Sequence, residues 1–178
     1  MSLLVIDKTD ESELRDLFTL FGTPYKGTKL FWLNPPLMII TGIIIAFIFA
    51  PVADPVARII GGVFYGFIIM SASVIHSYGH IVSSRRVGAP VTYILATMTV
   101  SILHYDDTED LLPRVHIGRA IGGPLASMNA GLLGLALYAT LQSHFLAFFA
   151  FINLLFFVLT ISPLPSLDGE VILRAMRK

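Results

Sequence analysis

Residues Ile59–Ser83 read IIGGVFYGFIIMSASVIHSYGHIVS, a run without a single Asp, Glu, Lys or Arg. As an α-helix it would be about 38 Å long, more than the roughly 30 Å of a bilayer's hydrocarbon core. The run therefore reads as a membrane span, and two histidines, His76 and His80, stand near its end. An ionisable side chain at that depth is expensive, and by default it marks a functional site.

The rest of the chain repeats the apolar theme. Of its 178 residues 55% are hydrophobic and 13% charged, with a mean hydropathy of +0.78, so a membrane class follows from composition alone. Twelve Lys and Arg balance twelve Asp and Glu, which leaves no basic excess to suggest nucleic acid as a partner. There is no cysteine. Disulfides, thiolate metal sites and cysteine nucleophiles are thereby excluded, and any metal must be held by His, Asp or Glu.

Leu37 to Val52 predicts a span before this one, ended by Asp54-Pro55. Gly118–Leu141 predicts a third, with small residues suited to close helix contact, and Phe145–Ser162 a fourth, ended by Pro163 and Pro165. Val91–Leu103 is too short to cross; it reads as a re-entrant segment or a short β-hairpin buried in protein. The fold class expected is thus all-α integral membrane, with about four transmembrane helices. Residues 1–36 form a cytoplasmic N-terminal segment and 37–178 the transmembrane domain. Within the first, Leu14, Leu17, Phe18 and Phe21 recur at helical spacing opposite Asp10, Glu11, Glu13, Arg15 and Asp16, predicting an amphipathic surface helix over Asp10–Phe21. That segment lacks the apolar core and small-residue cleavage site of a secretory signal. His104–His116, with Asp106, Asp107, Glu109 and Asp110, reads as an exposed acidic loop. His104, His116 and His144 are expected at loops or span ends, facing water.

Placing both termini in the cytoplasm puts every Lys and Arg except Arg58 on that side, as the positive-inside rule favours. The membrane expected is a bacterial or organellar inner one. His76 and His80, four residues apart, then share a helix face at that side. Asp168 follows the fourth span as it returns to the same depth. Two neutral imidazoles and a carboxylate make a three-ligand zinc set with an open fourth position. Metal-free, the same pair could simply hydrogen-bond carbonyls or Asp168.

Three stretches carry a family resemblance. His76-Ser77-Tyr78-Gly79-His80, followed by Ser83-Ser84-Arg85-Arg86-Val87-Gly88, resembles the HExGH helix of intramembrane site-2 proteases. Gly123-Pro124-Leu125-Ala126 is similar to their GPxxN element. Ser162-Pro163-Leu164-Pro165-Ser166-Leu167-Asp168-Gly169, running on to Val171-Ile172-Leu173-Arg174-Ala175, resembles NxxPxPxxLDG and its following helix. The order is the family's, and the likeness runs from Ile59 to the end. It implies an intramembrane zinc site at His76, His80 and Asp168, and a substrate or partner groove at Ser127, Thr160, Pro163 and Pro165. It also exposes departures. Ser77 occupies the position of the general-base Glu, Ser127 and Thr160 those of Asn residues that help hold the substrate strand, and Glu170 that of a second Gly.

A serine hydroxyl cannot take a proton from zinc-bound water at neutral pH, and losing a general base typically costs about 10²- to 10⁴-fold. No catalytic residue is therefore expected. The reading is a non-proteolytic pseudoprotease, an accessory or structural subunit that binds membrane lipid and other membrane proteins. An active or residual metalloprotease stays open as an alternative. So does a subunit of a complex holding haem or a chlorophyll-type pigment on a membrane histidine.

Overall fold

The computed structural model describes residues 13–49, 54–106 and 111–177. The start of the expected surface helix at Asp10, the expected end of the first span at Val52, and Asp107, Glu109 and Asp110 of the acidic loop lie outside them. In chain order the elements are β1 (Arg15–Leu20), β2 (Thr23–Gly27), a single 3₁₀ turn (Phe31–Leu33), α1 (Asn34–Phe49), α2 (Pro55–Arg86), β3 (Tyr93–Ala96), β4 (Ser101–His104), α3 (Pro113–Leu141), α4 (His144–Ile161) and α5 (Asp168–Met176). The helices α1 to α4 are long and apolar enough to cross a membrane, and they match the four expected spans. Many of their large apolar side chains, among them Ile44, Phe64, Leu133 and Phe151, are exposed, as a bundle solvated by lipid requires.

Where helical spacing predicts a surface helix, Arg15–Leu20 is a β-strand. A bulge explains the misreading. Asp16 pairs with Lys26 and Phe18 with Tyr25, so Leu17 is an extra residue on its strand. Bulging lets neighbouring residues serve different apolar contacts and breaks the alternation by which strands are recognised. Leu17 joins the core under the sheet, while Phe18 stacks on Tyr25 with ring centroids 4.6 Å apart. Phe21 and Gly22 then turn the chain with φ of 48° and 78°. Positive φ at both central residues belongs to the turn type that matches strand twist in a two-residue hairpin.

Of the two readings of Val91–Leu103, the short hairpin is the one present, as β3 and β4. Together the strands make one sheet in the order β1-β2-β3-β4, with β2 and β3 parallel and the other pairs antiparallel. Tyr25, Val91, Ile94 and Ala96 pack on Ile81 of α2, so the sheet sits over the histidine end of that helix. Arg85 of α2 donates to the Phe21 carbonyl and to Thr23 Oγ1. Asn34, at the start of α1, donates to the Met98 carbonyl, 2.8 Å away, between β3 and β4. Sheet and bundle are thus tied on two sides.

Between helices the contact is backbone on backbone. A Cβ on Gly42 of α1 would lie 2.3 Å from the Gly62 carbonyl oxygen and 2.4 Å from Gly66 nitrogen on α2. Among lipid tails there is little hydrophobic gain from helix pairing, so this close fit is what holds α1 to α2. By contrast, a Cβ on the neighbouring Gly61 would meet nothing within 4 Å. Substituting Gly42→Leu should therefore destabilise the protein by about 1–3 kcal/mol or more through overpacking, while Gly61→Ala should be neutral or slightly stabilising. Thermal unfolding of both variants in one detergent checks the contrast.

Candidate metal centre

Helix α2 sets the two imidazoles one turn apart. Helix α5 begins with Asp168, placing its carboxylate at the positive end of that short helix. The close packing of α3 and α5 brings them together. Nε2 of His76 lies 3.1 Å from Nε2 of His80. The two nitrogens lie 3.2 Å and 3.3 Å from Asp168 Oδ2 and Oδ1 respectively. His80 is fully buried, and the other two side chains are largely so.

The outer nitrogens are also held. His80 Nδ1 is 2.9 Å from the Arg119 carbonyl oxygen. A carbonyl only accepts, so Nδ1 must carry the proton. In a neutral His80 ring the Nε2 lone pair then points at the carboxylate. His76 Nδ1 lies 3.1 Å from Ser127 Oγ. The two Nε2 atoms and the carboxylate oxygens converge at 3.1–3.3 Å in a largely buried space, and they repel one another unless a proton, such as an N–H on His76 Nε2, or a metal ion lies between them. Ligands 2.0–2.1 Å from a tetrahedral zinc lie about 3.3 Å apart, so the spacing and the donor chemistry both fit a metal.

Glycines make this geometry accessible. A Cβ on Gly79 of α2 would lie 2.2 Å from the Gly122 carbonyl oxygen on α3, so the two helices touch beside the triad. A Cβ on Gly123 would lie 2.2 Å from His80 Nε2 and 2.5 Å from His76 Nε2. Only glycine lets α3 pass so close to the converging nitrogens.

The triad borders a cavity of about 750 Å³ whose lining includes Tyr25, Ser77, Leu103, Arg119, Thr160 and Asp168. Among the described lining residues Asp168 is the one carboxylate. Ser77 is buried beside His76. The Tyr25 hydroxyl lies buried near it, short of a well-aligned hydrogen bond. Burial pushes that hydroxyl's pKa up, with the serine only partly offsetting it, so the tyrosine stays neutral. Glu170, the nearest carboxylate in sequence to Asp168, is committed elsewhere. It accepts from the Ser166 backbone N–H at 2.8 Å and pairs with Arg174, and these contacts hold its pKa below the usual carboxylate range.

Of the expected groove residues, Thr160 lines the cavity, with its hydroxyl bonded back to the Phe156 carbonyl at 2.7 Å. Ser127 is fully buried against His76, so its contact is with the histidine–aspartate cluster. Pro163 and Pro165 are exposed in the link from α4 to α5. His104 lies on β4, stacked on Tyr93. His116 lines the cavity.

Sequence reasoning missed Arg119. Its backbone carbonyl orients His80. Its side chain is buried, donates to the Ala89 carbonyl at 2.7 Å and lies over the Tyr105 ring at 4.1 Å. An arginine one residue into the predicted third span, Gly118–Leu141, was the available signal.

No protein-family model matches the chain, and no curated protein matches it either. In fold it is similar to the site-2 protease from Methanocaldococcus jannaschii. The TM-score is 0.64 and the identity 18%, covering 92% of this chain and 71% of that one. The likeness in fold agrees with an integral membrane protein of four apolar helices and a small sheet.

Replacing Ser127 by Ala should weaken zinc affinity by about 10- to 100-fold, the usual cost of losing a hydrogen bond to a ligand. Gly123→Ala, which drives a methyl into both nitrogens, and His76→Ala should cost more. Equilibrium competition with a chromogenic chelator measures all three. Equal affinity in His76→Ala and the unmodified protein would remove the ligand assignment.

Proposed function

We propose that this chain is a non-proteolytic relative of the site-2 proteases. In this reading it keeps a zinc site at His76, His80 and Asp168 and works as an accessory subunit that binds segments of other membrane proteins. The observation that carries the proposal is the neutral side chain next to His76. Where hydrolysis needs a carboxylate, the chain offers Ser77 backed by the Tyr25 hydroxyl.

A zinc ion bound there would supply Lewis acidity and lower the pKa of its water to about 7. Among the described residues beside the triad, none offers a free carboxylate to take the proton that attack on a peptide would release. Ser77 and Tyr25 are neutral at physiological pH, and Glu170 is held by Ser166 and Arg174. What remains is a binding cavity. Ser101, Ile102 and Leu103 of the outermost strand β4 line it, where backbone groups of an extended segment can pair with the strand. The metal would then fix the geometry of α2 against α5 and serve as a structural ion.

The charge bias supports a topology with both ends in the cytoplasm, because Arg58 is the one Lys or Arg on the far side. Lipid surrounds the spans. Nothing in the charge distribution favours nucleic acid.

The experiment is cleavage of a membrane-spanning substrate by zinc-loaded protein. The unmodified chain should show no turnover, and Ser77→Glu should raise the rate by at least about 10²-fold, the usual contribution of a general base. Turnover by the unmodified chain that disappears in His76→Ala would instead establish the residual protease.

A further inference from the structure

Far from the triad, a second cavity of about 350 Å³ lies between α1, α2 and the first turn of α4. Arg58 precedes His76 by 18 residues, or about 27 Å along α2. At this end α1 finishes at Phe49, α2 starts at Pro55 and α4 starts at His144. The cavity therefore sits where spans meet the headgroup layer.

Its walls are Ala46, Gly61, Phe64, Tyr65 and Phe145, and its nitrogen-bearing side chains are Arg58 and His144. The Arg58 guanidinium lies 5.6 Å from the centre of the Phe47 ring. His144 packs on Phe145 and meets Tyr65 edge-on, with centroids 4.0 Å and 6.2 Å apart. The adjacent glycines of α2 do opposite things: Gly62 closes the seam with α1, whereas Gly61 leaves open space in the trench wall.

We propose that this cavity binds one anionic glycerophospholipid, its acyl chain lying along Gly61 and Phe64 and its phosphate meeting Arg58 and His144. Charge and position identify the occupant. An apolar trench open to the bilayer fills with hydrocarbon, and a guanidinium is suited to bidentate contact with phosphate. The Arg58 guanidinium lines the cavity while also making contacts within the protein, so a phosphate would meet a cation already held in place. The volume is at the lower end of the 300–1,000 Å³ typical of small-molecule pockets. One chain segment and a headgroup contact suit it better than a whole lipid buried inside.

The test uses the full chain in nanodiscs of equal phosphatidylglycerol and phosphatidylcholine, followed by native mass spectrometry. One phosphatidylglycerol should stay bound per chain. Gly61→Leu should fill the trench and reduce that occupancy by roughly tenfold, with melting of the lipid-free protein unchanged. Arg58→Gln should keep a bound lipid but lose the preference for phosphatidylglycerol. Added phosphatidylglycerol should raise the melting temperature of delipidated protein, and inorganic phosphate should not. Equal phosphatidylglycerol retention by the unmodified chain and Gly61→Leu would overturn the proposal, as would unchanged headgroup preference in Arg58→Gln. An equal thermal shift with inorganic phosphate would also overturn it, marking a simple anion site.

Discussion

Two imidazole nitrogens and a carboxylate are held within about hydrogen-bonding distance of one another in a largely buried space, and their mutual repulsion must be relieved by a shared proton or a bound cation. Much of the surrounding structure serves that arrangement. The carbonyl of Arg119 fixes one tautomer and Ser127 anchors the other ring. Backbone contact between α2 and α3 brings both anchors within reach. Helix α5 is nine residues long and carries the carboxylate on its first residue, so the site closes only when α5 is docked on α3.

The sheet adds the other half of the environment. By seating Tyr25 against the end of α2, it places a neutral, buried hydroxyl near Ser77. Polar groups that are neither charged nor fully hydrogen-bonded are costly to bury.

The spans and the triad were legible in the sequence because both depend on short-range regularity. Apolar runs long enough to cross need no tertiary context, and His76 and His80 are neighbours by helix periodicity alone. Asp168 could be assigned because four crossings return the chain to the same side. The strand at Arg15–Leu20 was not legible, because the bulge at Leu17 gives apolar residues the spacing of a helix. Nor was the role of Ser127, whose hydroxyl meets an imidazole 51 positions earlier through a helix crossing that no local pattern encodes. Arg119 was counted only as a cytoplasmic charge, although its burial and its carbonyl are what matter.

The parallel pairing of β2 with β3 joins residues 69 positions apart, Tyr25 with Ile94, and the chain between them makes both α1 and α2. Strand partners separated by so much chain meet late, because the entropy of closing the loop is lost before the contacts form. Here the loop is itself a pair of bilayer-crossing helices. Maturation therefore has a built-in sequence: a nascent chain must complete its first helical hairpin in the lipid before the sheet can zip shut. A lesion in that hairpin would leave strand edges bare for quality-control proteases to find.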